Sequence, residues 1–326
     1  MNPRDWVVLL LGALVYAAPV AAQDARIVHV PADYATIAEA LSAVPDGATI
    51  EVEPGEYAES LRIERPVILR GGTGEVIING TGDRPVVEIT RTVDVTVRGL
   101  TLRGGQYGIL VTRSQGVMIR NNTIQDNRLV GVKVRMGSAD IIGNTVSDTL
   151  PPYGQGIHIT NTMNWPTSTI RGNVISDNAM SGITTNMAMV RITDNTVTGN
   201  GQRGIAVTEM SEAVVAENTV DGNAENGIMV FDQSWAIVCN NTIIGSQLPQ
   251  ITGEGRYGNG ITVDFHSQAE LHNNVIVDNA NHAVSVLGSS QVDVSDNIVR
   301  GNGSNGLWAD QSSASLRNVD LPQSCQ

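Results

Sequence analysis

Between about residue 100 and residue 320, apolar and polar residues alternate in short runs, and the runs recur at a nearly fixed interval. In Gln115-Gly116-Val117-Met118-Ile119-Arg120, the alternation puts Val117 and Ile119 on one side of a strand and Met118 and Arg120 on the other. The same parity recurs at Ile141, Ile170, Ile192, Val215, Val238, Leu271 and Val294, which together with Ile119 form one inward stack. Most intervals are 22 or 23 residues, a period that belongs to stacked similar units rather than to one globular core. Each unit has room for two or three short strands, each pairing in parallel with its counterpart one unit on. The pattern predicts an all-β solenoid.

Two kinds of column mark the corners. A Gly column reads Gly108, Gly131, Gly156, Gly182, Gly204, Gly227, Gly260, then Ala283, then Gly306. An Asn column reads Asn122, Asn144, Asn173, Asn195, Asn218, Asn241, Asn274 and Asn297, and a second one, five residues on, reads Asn127, Asn178, Asn200, Asn223, Asn279 and Asn302. Stacked Asn side chains can hydrogen-bond to one another and to backbone amides that a sharp turn would orphan, so both columns are read as structural.

The second Asn column breaks at Thr149 and Ser246, and both breaks open insertions. The Asn-to-Gly interval grows from its usual 9 residues to 12 between Asn144 and Gly156 and to 19 between Asn241 and Gly260. The two loops leave one corner four coils apart and carry Tyr153 and Tyr257. A shorter insertion, between Gly156 and Asn173, carries Trp165-Pro166. Loops on a rigid scaffold are common carriers of function.

The N-terminal part is less regular. Ile27 to Val30 reads as a strand; Thr36-Ile37-Ala38-Glu39 is a capping box opening a helix that Pro45-Asp46-Gly47 ends. Strands are expected at Ala48 to Val52, Leu61 to Ile63, Val67 to Leu69, Val76 to Ile78, Val86 to Ile89 and Val95 to Val97. Residues 23–47, a short strand and a small amphipathic helix, suit the end cap that an open solenoid needs. Residues 1–22 read as a secretory signal peptide: Arg4 is the positive start, Val7 to Ala18 is apolar but too short to span a membrane, and Val20-Ala21-Ala22 precedes Gln23 at a small-residue cleavage site. A secreted or periplasmic location follows.

Composition agrees. Aromatics are 4% of the 326 residues, which leaves a Val/Ile core, and the net charge of −13 argues against nucleic acid as a partner. In an exported chain the two cysteines, Cys239 and Cys325, are permitted a disulfide. Cys239 points outward by strand alternation, and an extended tail just spans the roughly 14 Å back to it. A bridge and two free thiols both remain open.

The run Val30-Pro31-Ala32-Asp33-Tyr34-Ala35-Thr36-Ile37, then Ala40-Leu41, Gly47-Ala48-Thr49-Ile50, Pro54-Gly55-Glu56-Tyr57 and Ile68-Leu69-Arg70-Gly71, resembles the opening of pectin-lyase-like right-handed parallel β-helix proteins. The later Gly-Ile…Asn-Asn-Thr-Ile units look like the parallel β-helix repeats of that superfamily, including its periplasmic NosD-like branch. The resemblance implies one right-handed parallel β-helix domain over residues 23–326, with regular coils from about 100 to 320. It implies no single activity, because the superfamily holds lyases, hydrolases, epimerases, esterases and proteins without known chemistry. Asn-Thr-Asp, Gly-His-Gly and Gly-Asp-Phe-Ile-Phe-Gly, signatures of its pectinolytic members, are absent, and Asp264-Phe265-His266 has only a short likeness to lyase and epimerase motifs.

Aligning the coils on the Gly column yields two outward columns. One reads Leu110, Lys133, His158, Thr184, Ala206, Met229, Thr262, Ser285, Trp308; the other reads Thr112, Arg135, Thr160, Asn186, Thr208, Phe231, Asp264, Leu287, Asp310. Lys133, Arg135 and His158 therefore share a face, where cations could neutralise a uronate carboxylate while a base removes the adjacent proton. Glu209 and Asp232 stack one above the other, a pair suited to Ca²⁺ or to acid–base work on a glycosidic bond. These five residues are the candidate catalytic set. Tyr153, Trp165, Asn186, Tyr257, Asp264 and His266 are the candidate substrate contacts. Two readings follow: a protein that binds and cleaves or epimerises an extended acidic polysaccharide, or a non-catalytic scaffold or binding module of the cell surface or periplasm.

Overall fold

The computed structural model describes residues 26–248, 257–304, 306–310 and 315–318; the signal-peptide reading and Cys325 lie outside them. Each coil contributes a strand to three parallel sheets, which hold 13, 11 and 11 strands among the described residues. One coil shows the path: Val117–Arg120 in the first sheet, Thr123–Gln125 in the second, Val130–Arg135 in the third. The expected all-β parallel solenoid is therefore found, with one short helix, Ile37–Ala43, among the described residues. Thr36 caps that helix and shares a reciprocal capping box with Glu39. Its apolar side, Ile37, Ala40 and Leu41, is buried as an end cap must be. Two strands were not expected from the sequence, Gly55–Ala58, which buries no residue fully, and Thr101–Arg103, which has a single apolar residue.

The core is a set of apolar columns. Ile119, Ile141, Ile170, Ile192, Val215, Val238 and Leu271 have no exposed surface, as the parity requires. At the corners the chain reverses through left-handed residues, followed by an Asn at most coils of the first two corners and by a Ser at most coils of the third. Gly143, Gly172 and Asp194 have φ of 65°, 65° and 58°, ahead of Asn144, Asn173 and Asn195. Small or Asx-type residues tolerate that conformation best.

The Asn columns do what the sequence suggested. Asn195 Nδ2 donates to the carbonyls of Ile170 and Thr193 and to Asn218 Oδ1, each at 2.9 Å. Its Oδ1 accepts from the backbone N–H and the Nδ2 of Asn173 at 3.0 and 2.9 Å. The Gly column exists to make room beside the second Asn ladder. A Cβ on Gly156 would lie 2.5 Å from the Gly182 carbonyl and 3.0 Å from Asn178 Nδ2. A third ladder was missed. Between the third and first sheets, Ser211 N–H donates to Ser234 Oγ at 3.1 Å, Ser234 N–H to Ser267 Oγ at 3.2 Å, and Ser267 N–H to Ser290 Oγ at 3.1 Å. Where the second Asn column breaks, Thr149 Oγ1 donates to Asn178 Oδ1 at 2.8 Å, and the Ser246 N–H donates to Asn279 Oδ1 at 3.0 Å. Both breaks are thus tied to the next rung, while the Ser246 hydroxyl itself is buried without a partner.

One expectation needs correcting. Cys239 has no exposed surface, although alternation aims it outward. Its register neighbours Ala216 and His272 are buried too, so this stretch of the first sheet is covered. Cys239 is disulfide-bonded.

Replacing Asn195 with Ala orphans donors and acceptors in a place water does not reach. The expected loss is roughly 3 kcal/mol or more of unfolding free energy in urea denaturation. Asn297→Ala, at the half-exposed end of the same column, should cost clearly less because water can replace its bonds. Equal costs would mean the ladder is not what holds the corner.

Candidate functional site

The outer face of the third sheet carries the chemistry. Its register places Leu110, Lys133, His158, Thr184 and Ala206 in one column, and Thr112, Arg135, Thr160, Asn186 and Thr208 in the other. Both columns match the sequence alignment. Lys133 and His158 are directly paired on neighbouring strands, about 4.8 Å apart along the stack. The Lys133 Nζ lies 5.9 Å from the centre of the Tyr107 ring, a cation–π arrangement one coil earlier.

A directional hydrogen-bond chain starts at a fixed backbone group. The Thr208 hydroxyl donates to the Thr185 carbonyl at 2.9 Å, which leaves its oxygen to accept from Asn186 Nδ2, also at 2.9 Å. Asn186 Oδ1 must then face His158, and it accepts from His158 Nε2. The chain thus assigns the proton of the neutral imidazole to Nε2 and leaves Nδ1 as a lone pair. Among the described residues Nδ1 has no hydrogen-bond partner. Burial, and after it the charge of Lys133, push the His158 pKa down to about 4 against the opposing bond from Asn186. Burial, then the Arg135 guanidinium, hold Lys133 below the usual lysine range. His158 is therefore a neutral base at pH 7 with a cation beside it.

Thr208 also opens the neighbouring feature, a cleft of about 190 Å³ lined by Arg203, Thr208, Met229, Phe231, Tyr257, Thr262 and Asp264. Tyr257 and Arg203 lie on the corner that leads into the sheet. Arg203 is held by Glu225 at 3.0 Å, and burial raises the Glu225 pKa against the pull of Arg203. Asp264 is 3% exposed and accepts the Phe265 N–H at 2.7 Å. Thr262, outward by parity, is also covered: Asn259 Nδ2 donates to its hydroxyl at 3.1 Å.

The remaining candidates sit on the margins. Tyr153 is 66% exposed on its loop. Trp165 belongs to the opposite corner and leans toward the N-terminal coils, where it lines a cleft with Arg91, Arg113 and Glu64. It does not face Tyr257 across one groove. His266 is exposed on that same corner, beyond the cleft. Glu209 and Asp232 follow each other at left-handed corner positions, φ 54° and 55°, and the Met210 N–H bonds the Asp232 carbonyl at 2.8 Å. No three His, Cys, Asp or Glu side chains converge in metal-binding geometry among the described residues, so the Ca²⁺ expectation gains no support. Asn186 is also revised. Both ends of its amide are engaged within the protein, so it positions His158 rather than offering itself to a ligand. The sequence alone could not show this, because the bond runs diagonally from one column to the other.

A folded pKa near 4 against 6.5 in the unfolded chain means that folding favours the neutral imidazole. Its contribution is complete above about pH 6.5 and is lost as pH falls toward 4. In urea denaturation, the stability difference between wild type and His158→Gln should shrink by roughly 3 kcal/mol over that window. A difference that does not change with pH would contradict the geometry.

A family model described as right handed beta helix region matches residues 130–252 and 246–321. One described as periplasmic copper-binding protein (NosD) matches residues 49–183. A curated cell surface glycoprotein of Methanothermus fervidus is 27% identical over 128 residues, 39% of this chain and 21% of that protein. This chain therefore matches about a fifth of its relative's length. Among solved structures, the A-module of the Azotobacter vinelandii mannuronan C-5 epimerase AlgE4 is 14% identical with a TM-score of 0.57, covering 86% of this chain and 93% of that one. The Dettilon tailspike protein is 15% identical with a TM-score of 0.56, covering 87% and 68%. A double mutant of the periplasmic alginate epimerase AlgG is 14% identical with a TM-score of 0.55, covering 90% and 82%. At such identities these structures share the fold. The family match spans more than half of the sequence, and the chain belongs to the right-handed β-helix family.

Proposed function

We propose that this protein works outside the cytoplasm, in the periplasm or at the cell surface, and binds an acidic polysaccharide along the outer face of its third sheet. One observation carries the reading: a neutral His158 with a free Nδ1 sits beside Lys133 on an open, loop-flanked face. Lys133 and Arg135 would meet the carboxylate of a uronate unit. Withdrawing its charge acidifies the neighbouring C–H, and Nδ1 of His158 would accept that proton. Elimination then breaks the C–O bond to the leaving sugar, which departs with the electron pair. Epimerisation instead returns a proton to the opposite face. Exposed Tyr153, and Tyr257 beside the cleft, would hold sugar rings along the track, and Glu209 and Asp232 would border its far side. The shared fold of the mannuronan and alginate epimerases, and the cell surface glycoprotein relative, support this reading.

A second reading, binding without turnover, is favoured by the partial burial of His158. The copper named in the NosD description does not fit these residues. His158, His266, His272 and His282 lie on a sheet face, two different corners and a different sheet, and no donor cluster forms among the described residues.

The test is a panel of polygalacturonate, alginate and a neutral glucan, read by calorimetry and by absorbance of unsaturated products. Polyuronates should bind and the glucan should not. Lys133→Ala should weaken binding by tenfold or more, while His158→Gln should keep binding and lose turnover. Binding without product by the wild type supports the second reading, and failure to bind any polyuronate overturns both.

A further inference from the structure

The first sheet carries a second basic feature that the reading above does not use. Register places Arg70, Arg98 and Arg120 directly over one another on three successive coils, in an outward column. Arg70 has a counter-ion, Glu51, which pairs with it one coil earlier. Arg98 and Arg120 have no ion pair or hydrogen bond among the described residues, and the Nε atoms of all three are buried without a partner. Each side chain is half-buried, so the stems lie flat along the sheet while the guanidinium tips reach the surface.

Three stacked cations about 4.8 Å apart repel one another. Glu51 neutralises Arg70, but nothing comparable among the described residues neutralises Arg98 and Arg120. Residues 84–135 hold nine basic and three acidic side chains, in a chain whose net charge is −13. The negative charge sits on both sides of this band, in the coils before it as well as in those after it. Unneutralised at Arg98 and Arg120, in-register and planar, the column has the properties of a docking track. Guanidinium forks take carboxylate or sulfate oxygens two at a time. The ligand that matches a ladder running along the solenoid axis is a linear polymer whose negative charges recur about every 5 Å.

We infer that Arg98 and Arg120, with Arg70 behind them, form an anion track for a carboxylated or sulfated polysaccharide on the first sheet, separate from the third-sheet face. The track extends the binding surface around the solenoid and gives the protein a second hold on a long chain. Its register also says how to lengthen it. Ile142 occupies the next position of the column, and Arg171 the one after. Ile142→Arg would join them into a continuous five-rung ladder.

The experiment measures binding of polygalacturonate and dextran sulfate by the full chain at low and moderate salt. Neutral dextran, inorganic phosphate and a DNA duplex serve as controls. Arg98→Gln/Arg120→Gln should lose tenfold or more in affinity at low salt and show a shallower salt dependence. Ile142→Arg should gain several-fold and show a steeper one. Lys133→Ala leaves this track intact, so the two sites separate: if its loss and that of the arginine variant are distinct, each site stands on its own result. Tighter binding of polygalacturonate than of dextran sulfate assigns the ligand as a carboxylate polymer, and the reverse order as a sulfated one. Unchanged affinity in both the Gln and Ile142 variants overturns the proposal. So does equal binding of inorganic phosphate at matched charge, or stronger binding of the DNA.

Discussion

Everything in this protein depends on hydrogen-bonded stacking of like side chains at the corners. A sharp turn leaves backbone N–H and C=O groups without partners inside a dry stack, and such groups are expensive to leave unmade. The Asn195 side chain alone answers three of these demands, in its own coil and the one before, and two further bonds tie it to the Asn173 and Asn218 side chains. The second Asn column and the Ser column do the same at the other two corners. The result is strict register. A residue at a given place in one coil lies over its counterpart in the next, and insertions leave as loops without disturbing the stack.

Register turns sequence spacing into surface geometry, and this explains what could be read in advance. The inward Ile and Val column, the cap helix and the pairing of Lys133 with His158 all follow from counting residues. What escaped does not follow from counting. The diagonal bond from His158 to Asn186 depends on side-chain rotamers, and it reverses the part Asn186 was expected to play. The Ser ladder was hidden because serine is unremarkable in any loop. The direction of Trp165 depends on a non-periodic insertion, and the burial of Thr262 and Cys239 runs against strand parity. Arg98 and Arg120 stand one repeat apart in the sequence, but Arg70 stands 28 residues before Arg98, and the column shows only in the register and in its buried, unpartnered Nε atoms.

The two basic features differ in kind. On the third sheet, charge is combined with a fixed proton acceptor: Thr185 orients Thr208, Thr208 orients Asn186, and Asn186 holds His158. That arrangement suits a chemical step or a discriminating contact. On the first sheet, charge is repeated without any acceptor, which suits grip on a long polymer. Lys133, Arg135, Arg98 and Arg120 lie in the basic band of residues 84–135, and acidic residues are in excess both before and after it. A polyanion would therefore be drawn to that band and repelled from the coils on either side of it.

The most direct test of the account is a crystal structure of the protein soaked with a polyuronate oligosaccharide. The account predicts sugar density along the outer face of the third sheet, a carboxylate against Lys133 and Arg135, and the adjacent carbon within reach of His158 Nδ1. An oligosaccharide bound elsewhere with that face bare, or a His158 ring turned so that Nδ1 meets Asn186, would contradict it.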